Sequence, residues 1–253
     1  MNNESTLCKN CGNLVNGSYC SHCGQSVHTG RINLHYILHE LQHSILHVDK
    51  GMFYTIKELI VRPGYAIKDY LSGKRVNHFK PFAFVVILGA IYGFLVHFFN
   101  IYPEVHIFGD AKVETVDDKN RAIFEWMYAH YSQIMFVVIP ISALSSCLTF
   151  RKSGYNYMEH VIIYSYITGI HIIILMAIYP LYYLTMSSVV YFITFIVSYS
   201  YNVWVLAQLF KTTSWTKVSL KAVFSILLSI LMIFILTILI IIIVVVLKIY
   251  VPK

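Results

Sequence analysis

The sequence predicts an all-α integral membrane protein, with about five transmembrane helices preceded by interfacial amphipathic helices and a small four-cysteine ribbon. Three observations carry that expectation. Five separate runs of about 18 to 26 mainly apolar residues are each long enough to cross ~30 Å of hydrocarbon at ~1.5 Å per residue. Hydrophobic residues make up 57% of the 253 positions and charged residues only 12%, roughly half the charged share of a soluble domain. Four of the five cysteines fall within sixteen residues, in the string CKNCGNLVNGSYCSHCG.

The ribbon comes first, over residues 1–30. Cys8, Cys11, Cys20 and Cys23 form two Cys-x-x-Cys knuckles, each followed by a glycine, Gly12 and Gly24. The glycine permits the tight turn that aims backbone amides at the sulfurs, and two such knuckles are the spacing that holds tetrahedral zinc. Four protein ligands leave no open coordination position, so the expected zinc is structural. The fifth cysteine, Cys147, lies in an apolar run. Four clustered cysteines and one odd one argue against a disulfide framework and for a reducing compartment. The first thirty residues are polar, so no cleavable signal peptide is expected. They carry only Lys9 against Glu4, with Arg31 just beyond and Tyr19 as the sole aromatic. That is too little basic surface for direct nucleic-acid binding, and a protein-docking role fits better.

Residues 31–80 read as interfacial helices. From Asn33 to Val48 the apolar residues Leu34, Ile37, Leu38, Leu41, Ile45 and Val48 gather on one face at 100° per residue, with Asn33 as N-cap. His35, His39, His43 and His47 recur every fourth residue on the other face. Such a stripe is either a solvated polar face or a patch that titrates together near pH 6; no carboxylate completes a metal set. Next, Pro63-Gly64 divides two short amphipathic helices, and Gly73 is a natural C′ residue for the second. Arg62, Lys74 and Arg75 lie close to the first span, where basic residues act as topological anchors or form a site for lipid headgroups or other anionic ligands.

Residues 81–253 hold the spans: Pro81 to about Asn100, about Gln133–Phe150, Glu159–Leu184, Val189–Phe210 and Ala222–Leu247, with a loop outside the cytoplasm at about 101–132. An arrangement with the N-terminus inside places fourteen Lys and Arg on the inner side and five on the outer. The positive-inside rule therefore predicts a cytoplasmic ribbon and a C-terminus outside, in a bacterial inner membrane. His171 is the titratable residue nearest mid-membrane, and the fourth span contributes Asn202. Together they form a candidate intramembrane polar site, a functional reading by default that competes with ordinary helix–helix hydrogen bonding. The hydroxyls of Ser142, Ser145 and Ser146 are expected to pack helices together.

CxxCG…CxxCGQ, HVDKG, TIKELIVRPG and YLSGKRVNHFKPF together resemble an uncharacterised family of small bacterial multi-pass membrane proteins, a domain of unknown function. The resemblance is close over residues 8–100 and rests on hydropathy beyond them. It implies the ribbon, the membrane location and importance for Arg62-Pro63-Gly64 and Gly73-Lys74-Arg75, and it implies no activity. Topology alone gives looser similarities to five-span Yip-type trafficking proteins and to small multi-pass accessories of RNA-targeting CRISPR effectors.

No Asp or Glu lies deep in a span, and no catalytic motif appears, so neither ion-coupled transport nor an enzyme is expected. The leading expectation is a membrane-anchored adaptor or scaffold whose ribbon docks a cytoplasmic protein partner. The competing one is an oligomeric pore or lipid-handling protein, an accessory of a phage-defence system of the CRISPR type.

Overall fold

A computed structural model describes residues 6–43, 51–99, 125–185, 187–210 and 214–250. His47, most of the expected 101–132 loop and the last three residues lie outside them, as do the side chains of His39 and His43. Two short strands, β1 (Thr6–Leu7) and β2 (Leu14–Val15), precede α1 (Leu34–His43), α2 (Gly51–Val61) and α3 (Pro63–Leu71). The long helices follow: α4 (Pro81–Phe99), α5 (Tyr131–Thr149), α6 (Tyr157–Thr185), α7 (Ser188–Leu209) and α8 (Trp215–Tyr250). Among the described residues, α4 to α8 are the five helices long and apolar enough to cross a membrane. The fold class is the one read from the sequence.

Helix boundaries follow local chemistry. Asn33 Oδ1 accepts from the Tyr36 amide at 2.8 Å, the expected N-cap of α1. Pro63 opens α3 at its first turn, where a missing N–H costs nothing. At the far end Gly73 takes φ +106°, its amide bonds Tyr70 O at 3.1 Å and the Lys74 amide bonds Asp69 O at 3.0 Å. This is a Schellman motif with glycine at C′. Helix α8 differs from expectation by starting at Trp215 rather than Ala222. Nothing between Ser214 and Ala222 breaks a helix, so two polar turns continue straight into the apolar run. Its 36 residues span roughly 54 Å at ~1.5 Å each, more than the hydrocarbon needs.

Helix α6 is the centre of the bundle. It packs on α4, α5 and α7, while α8 leans on α5 and α7 and leaves much of its length exposed. At the α4–α6 crossing the Phe84 ring lies directly over Gly169, where an added Cβ would sit 2.3 Å from ring carbons. Between α5 and α8, Ser142 and Ser229 hydroxyls pair at 2.8 Å and Ser145 bonds the Ser225 carbonyl. These small hydroxyl residues pack helices, as expected. Two amphipathic pieces, α2 and α3, are fastened beneath the bundle. The Tyr201 hydroxyl donates to Leu59 O at 2.9 Å, and the Gly64 amide donates to Gln208 Oε1 at 3.0 Å. Contacts from the ribbon and Arg31 reach the turn that leads into α4 and the start of α6, and α3 bonds the end of α7, which places those ends and the ribbon on one side of the bundle.

Candidate metal centre and its junction with the bundle

The ribbon is two matching knuckles. In the first, β1 and β2 form a hairpin and the Gly12 amide bonds Cys8 O at 2.9 Å; in the second, Tyr19 bridges to Ser26 and the Gly24 amide bonds Cys20 O at 2.8 Å. Gly12 and Gly24 have φ +77° and +74°, a region that side-chain-bearing residues avoid. The repeated turn brings all four sulfurs within 4.8 Å of one another, with Cys8–Cys23 at 3.6 Å and Cys11–Cys20 at 3.5 Å. Thiolates at ~2.3 Å from a tetrahedral ion would be ~3.8 Å apart, so the cluster fits a metal ion. The Cys11 amide pointing at Cys8 sulfur, aided by that of Asn10, lowers this thiol to about 6. The Cys23 amide lowers Cys20 in the same way. The Asn13 amide pulls Cys11 down, but burial and the neighbouring sulfurs outweigh it and hold Cys11 up at about 12. Both shifts favour the thiolate, the form that takes a metal.

The ribbon is bolted to the bundle through three connections. Gln25, 4% exposed, directs Oε1 at two amides, accepting from Arg75 N at 3.0 Å and Val76 N at 2.9 Å. Arg75 answers in the other direction. Its Nη2 donates to Gly30 O at 2.9 Å and its Nε to Tyr70 O at 3.2 Å, and its guanidinium lies over the rings of Tyr36 and Tyr70 at 4.6 and 5.4 Å. The third connection is a two-pronged ion pair. Arg31 Nε and Nη2 reach Glu159 Oε1 and Oε2, both at 3.0 Å. Glu159 and Asn156 form a capping box at the start of α6, exchanging bonds of 2.7 and 2.8 Å between side chains and amides. Asn156 also donates to Ile32 O at 2.9 Å, and Ile32 is fully buried.

The other sequence candidates fall into place differently. Arg62 bridges Glu58 and Asp69 across the α2–α3 break, and Lys74 bonds Asp69 at 2.8 Å. Burial acts to raise the Asp69 pKa, but Lys74 and Arg62 prevail and hold its carboxyl below the usual range. All three cations grouped as an anionic-ligand site thus have partners within the chain. His78, packed edge-on to Tyr54 and Tyr70, is held below its ordinary pKa by burial. His35 is exposed on α1. His171 and Asn202 do meet, in a cavity of about 120 Å³ between α5, α6, α7 and α8 that Tyr164, Tyr199, Ser142 and Ser229 also line. Among the described residues Tyr164 Oη, His171 Nε2 and Asn202 Oδ1 have no hydrogen-bond partner, and the space admits several waters. Sequence reasoning missed Gln25 entirely. It also missed Asn156 and Glu159, whose Asn-x-x-Glu spacing before an apolar run was a usable capping signal.

Because Glu159 is 4% exposed while the Arg31 side chain is 61% exposed, water screens the pair from one side. Glu159→Gln is expected to loosen the junction, raising amide exchange over residues 25–32 with metal content unchanged. Unaltered exchange there would show that the ion pair does not hold the ribbon.

A family model described as Protein of unknown function (DUF3667) matches residues 49–93. No curated protein matches the chain, and no solved structure matches it. The family match covers α2, α3, the turn through Lys80 and most of α4. The chain is similar to this family over the segment on which the ribbon is seated.

Proposed function

We propose that the protein is a non-enzymatic, membrane-anchored adaptor: its helical bundle holds a structural zinc ribbon rigidly at the membrane surface to dock a cytoplasmic protein. The observation that supports this reading most is how the ribbon's surface is divided. The side carrying Gln25, Thr29 and Gly30 is spent on the bundle, while Leu7, Leu14 and Tyr19 remain 69, 65 and 69% exposed. Leu7 and Leu14 are cross-strand partners, so they form one apolar patch. Exposed apolar groups on a rigid support are the usual mark of a partner site. Zinc is favoured because four thiolates in tetrahedral reach suit zinc, with iron as the competitor. The positive-inside count favours a cytoplasmic ribbon, consistent with thiols kept reduced.

The test is a photo-crosslinking residue at Leu14 or Tyr19 of the full chain in native membranes. One dominant protein adduct at both positions, lost in L7E, is the expected result. Adducts to lipid alone would overturn the adaptor. Metal analysis should find about one zinc per chain; iron would overturn the metal assignment. A second reading, an oligomeric pore or lipid-handling protein, draws support from the His171–Asn202 cavity. It requires solute leakage from liposomes carrying the purified protein, whereas the adaptor requires tight liposomes.

A further inference from the structure

Four cations converge on a cavity that no anion lines among the described residues. On the ribbon's side of the bundle, the turn Arg151–Ser153 after α5 and the first two turns of α8 bound a space of about 440 Å³. Arg151, Lys152, Lys217 and Lys221 line it, along with Phe150 and Phe210, and among the described residues no Asp or Glu does. The two rings stack at 4.2 Å, 14° from parallel, and both are buried. Among the described residues the ion pairs belong to Arg31, Arg62 and Lys74, which occupy Glu58, Asp69 and Glu159. Among those residues the four cavity cations have none.

Like charges gathered around a recess repel one another unless an anion joins them. The volume falls within the range of small-molecule sites, and the basic rim over an aromatic floor suits an amphiphile better than a bare ion. On α8 Leu220, between the two lysines, and Phe224, just beyond Lys221, are 66 and 58% exposed, so apolar surface borders the recess and continues along the helix.

We propose that this cavity binds a phosphate group, with Lys217, Lys221, Arg151 and Lys152 around its oxygens and Phe150 and Phe210 beneath the attached carbon skeleton. A lipid phosphodiester and a free phosphate share that chemistry. Arginine supplies fork-shaped donors and lysine point charges, the usual pair for phosphate. The site is separate from Arg62, Lys74 and Arg75, whose charges are already paired or stacked.

Native mass spectrometry of the full-length protein in neutral detergent tests this, with dioleoyl phosphatidylglycerol, dioleoyl phosphatidylcholine and inorganic phosphate as probes. Each charge near a phosphate layer contributes about a factor of five. The double variant K217Q/K221Q should therefore retain phosphatidylglycerol roughly 30-fold more weakly than wild type, with a smaller loss for phosphatidylcholine, whose choline cation offsets the phosphate charge. K57Q/K68Q, which removes the same charge from α2 and α3, should retain it as wild type does. Displacement of the lipid by millimolar inorganic phosphate identifies free phosphate as a sufficient ligand; failure to displace it identifies the lipid headgroup. Equal retention by wild type and K217Q/K221Q, or equal weakening in K57Q/K68Q, overturns the site.

Discussion

Replacing Cys20 with serine is expected to abolish metal binding and, with it, the ordered ribbon. Metal binding is folding free energy in such ribbons, apparent values running to ~10–16 kcal/mol, and the described ribbon has little else. Its own buried apolar cluster is Val15 with two of the thiols, backed by Val27. Metal content should fall from about one equivalent to near zero, and amides of residues 6–29 should lose protection while α4 and α6 keep theirs. Cys147→Ser, which lies outside the cluster, should change neither reading. Since thiolates must shed protons to bind, metal should also leave as pH falls. A C20S protein that keeps its metal and its protected ribbon would refute the assignment of Cys20 as a ligand.

Gly64→Ala is expected to separate α3 from α7. An alanine Cβ there would lie 2.4 Å from Gln208 Cβ and 2.8 Å from the Leu209 amide nitrogen. The latter is backbone and cannot swing aside. On an open helix the change would stabilise by up to ~1 kcal/mol; here overpacking costs ~1–3 kcal/mol, and the Gly64–Gln208 bond adds ~1 kcal/mol to the loss. The net expectation is about 1–3 kcal/mol of destabilisation, read as a lowered midpoint of thermal unfolding in detergent. Gly30→Ala meets nothing within 4 Å and serves as the neutral comparison. If G64A melts with wild type, the close contact is not a constraint.

Features governed by neighbours in the chain were legible in the sequence. The knuckles, the Asn33 cap, the Pro63 break and the Gly73 stop each depend on a few consecutive residues, and each stands where the spacing placed it. The spans were legible because hydrocarbon thickness sets their length, although α8 ran on past its apolar part for want of a breaker. What stayed hidden depends on distant pairing. Arg75 reads as a lipid-facing cation until Gly30, Tyr36 and Tyr70 surround it, and Gln25 reads as filler until it takes two amides of the 75–76 turn. The 440 Å³ recess was equally invisible, because Arg151 and Lys217 are brought together only by the packing of α5 against α8.

The Arg31–Glu159 pair also has a meaning in time. Its partners are 128 positions apart, so at ~5–20 residues per second of synthesis the ribbon waits roughly 6 to 26 seconds for the glutamate that receives it. By then α4 and α5 have been made, and Glu159 arrives on the ribbon's side only if both or neither of them cross. A chain that skips one crossing presents α6 the wrong way round and leaves Arg31 with no partner on its own side. The finished latch therefore rules out a single missed crossing, and it joins a segment made early to one made 128 positions later.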